Sequence, residues 1–464
     1  VASNALARIK FQEKDYDAVR ELVSSVLEAA PKNGDALIMH ARLLLRGGNL
    51  SDAVISLRSV LRDRPDSKTV HALLAAAHLK SRDWRLARDI LERLIQLAPE
   101  SEPAQLDLVR VLLRLGEANA AVDQLETYTE TAPKSLSALT MLTGILIRQG
   151  QIEEAKQIAE RMSVLEGGKP IAQAAMGRIY LQQKKYSRAL IAYRDALTYQ
   201  PMSEPYLFGI VSALVAQKKI DAAQAQINQF LSDKKNSAFA YNMKGDLYLR
   251  QKMPELAYAA FHKAIELRPN WKDPYLRLGQ ELAKQQSNMP AALALLEQGY
   301  KKTSGDVSIG FLLAVMQQRL NKIDDAIQTY ETILEKNPKH QIAANNYASL
   351  ITDHQADDRA QLERALAVAE QFRTAAQAPF LDTLGWVHLK LGNVKVAVGY
   401  LEQAVEKAPE SNELKLHLGE AYIADGQFGL ARKNLDVVLS STKNEGFAKR
   451  AQTMLTEMRA GPKK

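Results

Sequence analysis

The sequence contains no cysteine. Disulfides, thiolate nucleophiles, cysteine-type zinc sites and iron–sulfur clusters are excluded together, and the compartment is left open. Long apolar runs are missing as well: nowhere do roughly 18 apolar residues follow one another, the length a membrane-spanning helix needs. Nor does one sign of charge dominate. Lys and Arg number 61 against 53 Asp and Glu, a net +8, and the two signs are interleaved as on a solvated helical surface. No basic block of the nucleic-acid-binding kind interrupts that pattern.

Signatures of chemistry are equally sparse. The eight histidines form no His-Glu-x-x-His pair, and His71 and His78 have no neighbouring carboxylate ligands in sequence. Gly167-Gly168-Lys169-Pro170 lacks the frame of a phosphate-cradling loop, and no Gly-x-Ser-x-Gly elbow occurs. The acidic pairs Glu153-Glu154 and Asp324-Asp325 read as the first turns of helices, where carboxylates favour the positive dipole end. No catalytic residue, no metal and no cofactor is expected.

What the chain does have is a beat. Pro31, Pro65, Pro99 and Pro133 recur every 34 residues, Pro201 and Pro269 follow at twice that interval, and Pro338 and Pro409 keep it with small slips. Most close an apolar helical run, because proline lacks an N–H and disfavours helix in the residue before it. A second punctuation falls mid-period at Gly47-Gly48-Asn49, Gly116, Gly150, Gly392-Asn393 and Gly426, where glycine reaches the left-handed conformation that ends a helix. Each period is therefore a pair of helices. At 46% hydrophobic and 25% charged residues, the chain has enough apolar material to fold along most of its length.

Finer residues recur at the same spacing. One copy runs Tyr241, Gly245, Tyr248, Ala257, Phe261, Ala264, Pro269; another runs Gly177, Tyr180, Ala189, Tyr193, Ala196, Pro201; others carry Gly385, Ala397, Leu401 and Gly419, Ala431, Leu435. In this pattern the chain resembles the tetratricopeptide repeat superfamily. The resemblance implies an all-α, right-handed superhelical solenoid of about 13 helical hairpins over 1–444, with a C-terminal capping helix and frayed tail over 445–464. The glycines are expected to let each first helix approach the alanines of the second. The longest central turn is expected at 353–360. Starting at Val1 rather than Met, the chain reads as a mature product or fragment whose N-terminus continues an upstream array and whose C-terminus is natural.

By the same resemblance, first helices line a concave face and hold ligands at fixed offsets. Those offsets fall on Arg42, Arg46, Arg110, Arg114, Arg148, Arg178, Asn242, Asp246, Arg250, Trp386 and Lys390. Arginine forks suit carboxylates, so an extended acidic peptide or protein is the expected partner, and Trp386 is a candidate exposed stacking ring. A cation late in a first helix also complements the helix dipole, which is the plainer account of Arg46, Arg114, Arg148, Arg250 and Lys390. The set needed for a chaperone-tail clamp cannot be assembled.

The expected function is a non-enzymatic interaction scaffold. The segment from Phe380 to His388 and the length of the array are similar to large bacterial repeat proteins of exopolysaccharide synthesis and export, including those of PEP-CTERM exosortase systems. That likeness implies a periplasmic setting, with the cytoplasm second. Direct binding of an anionic polysaccharide on the arginine face is the alternative; no nucleic acid is expected.

Overall fold

The computed structural model describes residues 2–460. Those residues hold twenty-seven α-helices, two short 3-10 turns and no strand, so the class is all-α. The helices follow one another as stacked hairpins, the architecture of a solenoid. The chain forms two compact units, 1–235 and 236–464, each with its own apolar interior. None of the helices is long and apolar enough to cross a membrane.

Local chemistry sets the helix ends. Eight second helices stop two residues before a proline, as Trp84–Leu97 does before Pro99 and Val394–Lys407 before Pro409. Two residues beyond the proline, Asn33, Ser67, Ser135, His340 and Ser411 each accept a hydrogen bond from a backbone N–H three residues further on and so cap the next first helix. Proline and cap together make one repeating joint. The turn inside each of the first eight hairpins depends on a left-handed residue, found at Lys14, Gly48, Arg82, Gly116, Gly150, Lys184, Lys218 and Lys252, each 34 residues after the last. Four of those eight positions therefore hold lysine and one holds arginine where the backbone favours glycine.

Two expectations about packing are corrected. The first-helix glycines meet chiefly a large side chain of the second helix, with the alanine backbone close behind it at Gly385, where Ala397 O lies 3.2 Å from the Cβ position. A Cβ on Gly245 would lie 2.6 Å from the ring of Phe261, and one on Gly385 would lie 2.8 Å from Leu401. The glycine makes room for the large residue one turn beyond the alanine, since a helix brings positions four apart onto one face. In the 1–235 unit a single ring occupies two such gaps: Tyr193 sits where a Cβ on Gly177 would be 2.7 Å away and one on Gly209 2.4 Å away.

The second correction concerns the turn at 353–360. Helix Gln341–His354 runs on into that segment, and Asp358 caps helix Arg359–Ala369 through two backbone N–H groups, leaving only 355–358 between them. The longest break inside a hairpin is 283–288, between Lys272–Leu282 and Met289–Lys302, where a 3-10 turn precedes Pro290. After Ala369 a second 3-10 turn buries Phe372 completely, stacked on Phe380 at 4.7 Å. Helix Glu445–Ala460 follows the last hairpin and packs through Ala451, Met454 and Leu455. Of the expected tail, 461–464 lies outside the described residues.

Candidate binding face on the first helices

First helices pack on their own second helices and also on neighbouring first helices. Leu136–Gln149 meets Gly168–Gln182, and Ala378–Lys390 meets Asn412–Ala424. The expected site residues all lie on first helices. Their surroundings divide them into two groups.

In the 1–235 unit the cations stand in two columns. Arg8, Arg42, Arg110 and Arg178 share one register, with Ala76 and Gly144 filling the alternate steps; Arg46, Lys80, Arg114 and Arg148 follow at intervals of 34 residues, one turn further along each helix. Eight cations thus face one way. Asp35 pairs with Arg8 at 3.1 Å and with Arg64 at 2.9 Å, and Asp107 pairs with Arg110. Among the described residues, Arg42, Arg46, Arg114, Arg148 and Arg178 have no carboxylate partner. All except Arg42 are exposed. Arg178 reaches across Gly144, which leaves its Nη1 only 3.7 Å from where a Cβ would stand. Arg46 lies 3.9 Å above the ring of Tyr16 and Arg42 lies 5.9 Å from that of Phe11.

In the 236–464 unit the corresponding charges are paired with one another except at Arg250. Arg277 lies 3.5 Å from Asp246, yet burial outweighs it and pushes the Asp246 carboxyl above the usual carboxylate range. Asn242 is buried with its Oδ1 unpartnered, while Arg250 is exposed beside Asp246. The exposed stacking ring expected at Trp386 is not there. Trp386 is 5% exposed, stacks on His417 at 4.0 Å, and donates from Nε1 to Asp353 at 3.4 Å. Lys390 lies 4.1 Å from the ring centre and Arg450 5.3 Å. Both cations converge on Glu420, at 2.9 Å and 2.8 Å. Burial alone would raise Glu420, but the hydrogen bonds from Lys390 and Arg450 prevail and hold it below its ordinary value. His417 Nδ1 lies 3.0 Å from both oxygens of Asp382. Neighbouring first helices are tied together here from within.

Sequence reasoning passed over Lys80, Asp382, His417 and Arg450. Lys80 was visible in principle, since it lies 34 residues after Arg46 and 34 before Arg114. The Asp382–His417 and Glu420–Arg450 contacts join side chains 35 and 30 residues apart, and only stacking shows that they meet. No group of three or more His, Asp or Glu that could hold a metal occurs among the described residues.

Comparison with known proteins adds the following. Models described as tetratricopeptide repeat match residues 10–77, 78–143, 172–201, 240–270, 310–340 and 383–443. The chain is 25% identical over 167 residues to cellulose synthase operon protein C of Pseudomonas fluorescens, an alignment covering 35% of this chain and 13% of that protein. It is 20% identical over 217 residues to a TPR repeat-containing protein of Pseudomonas aeruginosa, covering 43% of this chain and 36% of the relative. The chain thus spans between 13% and 36% of the lengths of such curated relatives. A solved tetratricopeptide repeat protein from Parabacteroides merdae is 18% identical, aligned over 53% of this chain and 97% of that one, with a TM-score of 0.43.

Proposed function

The chain belongs to the tetratricopeptide repeat family, and on that premise we propose that it is a non-enzymatic interaction scaffold whose first-helix face in the 1–235 unit receives an acidic protein segment. The observation that carries this reading is the uncompensated set of guanidinium groups on Arg42, Arg46, Arg114, Arg148 and Arg178. Each presents a planar fork that pairs with a carboxylate, and helical stacking repeats the fork along one direction. The self-paired charges around Trp386, Lys390 and Glu420 make that second group a positioning feature of the stack rather than a docking surface. Helix Glu445–Ala460, carrying Arg450, closes the apolar face of the last hairpin and serves as its cap.

The setting we propose is bacterial exopolysaccharide assembly or export. The named likeness to a cellulose synthase operon protein supports it, over a third of this chain.

The test is binding of the full chain to a labelled Asp/Glu-rich peptide across a salt series, with the triple variant Arg114→Glu, Arg148→Glu and Arg178→Glu beside it. Affinity is expected to fall steeply with salt and to vanish in the variant, because exposed charges are screened beyond a Debye length of about 8 Å at physiological ionic strength. Equal binding by parent and variant sinks the reading. Polygalacturonate is run in parallel, and binding of that polymer alone would transfer the site to anionic polysaccharide.

A further inference from the structure

One stretch of the cationic face is a built cavity. About 500 Å³ opens among the first three hairpins, lined by Phe11, Arg42, Leu45, Arg46, Leu73 and Lys80. Three of those six side chains are cationic and three are apolar. No carboxylate is among them. Arg42 is half-buried, its Nε has no hydrogen-bond partner and no carboxylate pairs with its guanidinium, so its charge is left for an incoming oxygen anion that reaches the fork. Lys80 is held in place by donating to the backbone carbonyl of Leu45 at 2.9 Å. A second cavity of about 410 Å³ lies on the far side of Arg42, but there Asp35 is one of the lining groups and already holds Arg8 and Arg64. The first cavity is therefore lined by cations alone among its charged groups, whereas the second mixes three cations with a carboxylate.

We infer that this cavity is the specificity anchor of the face, taking an acidic residue of the partner together with a large apolar side chain beside it. The inference rests on the reading of the cationic face as a protein-docking surface, and it adds the chemistry that selects among acidic segments. Columns of exposed arginines attract any polyanion; here the cations share a cavity with Phe11, Leu45 and Leu73, a floor that gains from covering an aliphatic or aromatic group. An anionic polysaccharide has the carboxylate but not the apolar neighbour.

The full chain is titrated by fluorescence anisotropy with two labelled peptides, one carrying Glu-Leu pairs and the other Glu-Ser pairs in the same flexible background. The Glu-Leu peptide is expected to bind about tenfold tighter, the worth of one partly buried leucine. Arg42→Gln or Lys80→Gln should remove that preference, whereas Arg148→Gln should weaken both peptides alike; thermal melts confirm that each variant is folded. Equal affinity for the two peptides, or a preference that survives Arg42→Gln and Lys80→Gln, overturns the anchor while leaving the cationic face standing. Failure of both peptides to bind the parent chain overturns the docking reading itself. Polygalacturonate that binds tighter than either peptide, and is lost on Arg42→Gln, overturns the anchor in favour of a sugar-acid site.

Discussion

Gly209 has no side chain because Tyr193 leaves no space for one. A Cβ at that position would stand 2.4 Å from the ring, and the opposite side of the ring is closed by Gly177, where the corresponding distance is 2.7 Å. The ring is 4% exposed and its hydroxyl is pushed up to about 12, chiefly by burial, so retreat toward solvent is closed too. In Gly209→Ala, helix propensity favours the variant by about 1 kcal/mol. Overpacking opposes it by about 1–3 kcal/mol, and a ring held on two sides places this site at the upper end. The net expectation is a loss of about 2 kcal/mol after the propensity gain is deducted. For a unit of 235 residues, that corresponds to a fall of about 4–8 °C in its melting transition. Far-ultraviolet circular dichroism during heating reads it. Gly399→Ala is the control: nothing lies within 4 Å of its Cβ, so propensity alone should raise the transition. A Gly209→Ala protein that melts with or above its parent would refute the two-sided packing of Tyr193.

Other consequences concern charge and turns. Glu420 is held below its ordinary value in the folded chain, so its stabilisation is complete above about pH 4.3 and disappears as pH falls through the folded value; Glu420→Gln should be less stable than the parent at neutral pH and should converge with it in acid, as denaturant midpoints across pH would show. Asp246 has the opposite sign. Burial raises it, so ionisation costs stability once pH passes about 3.9, and Asp246→Asn should unfold at higher urea than the parent at neutral pH, with the gap closing below that value. A midpoint that drops instead would make the Arg277 contact dominant. Lys184, Lys218 and Lys252 adopt φ of 58°, 61° and 60°, and changing all three to glycine should raise the unfolding free energy from urea titration by about 0.5 kcal/mol per site after glycine's greater unfolded freedom is deducted.

The 34-residue period was legible, though not the place of its longest internal break. Proline closes eight of the second helices, Gly48, Gly116, Gly150, Gly392 and Gly426 close first helices, and both act through their own backbone, so no partner is needed to recognise them. Lys14, Arg82, Lys184, Lys218 and Lys252 do the same work and escaped notice, because residue type favours glycine there while stacking tolerates lysine. The alternation of small and large residues was legible too, but not which of them meet. Gly245 was paired with Ala257 in sequence, and the fold sets it against Phe261.

The binding face follows the same division. The family resemblance assigned Arg42, Arg114, Arg148 and Trp386 to first-helix positions, and the 34-residue repeat returns Arg114 and Arg148 to the same angle. Whether such a residue is free or engaged depends on side chains about one repeat away: Trp386 is covered by His417, Lys390 is tied to Glu420, and Arg148 has no carboxylate neighbour. A local code of prolines, caps and small residues determines the hairpin and its repetition through forces that act within one or two turns of helix. Partnership between charges is set by distances across the stack, and those distances exist only once neighbouring hairpins have packed.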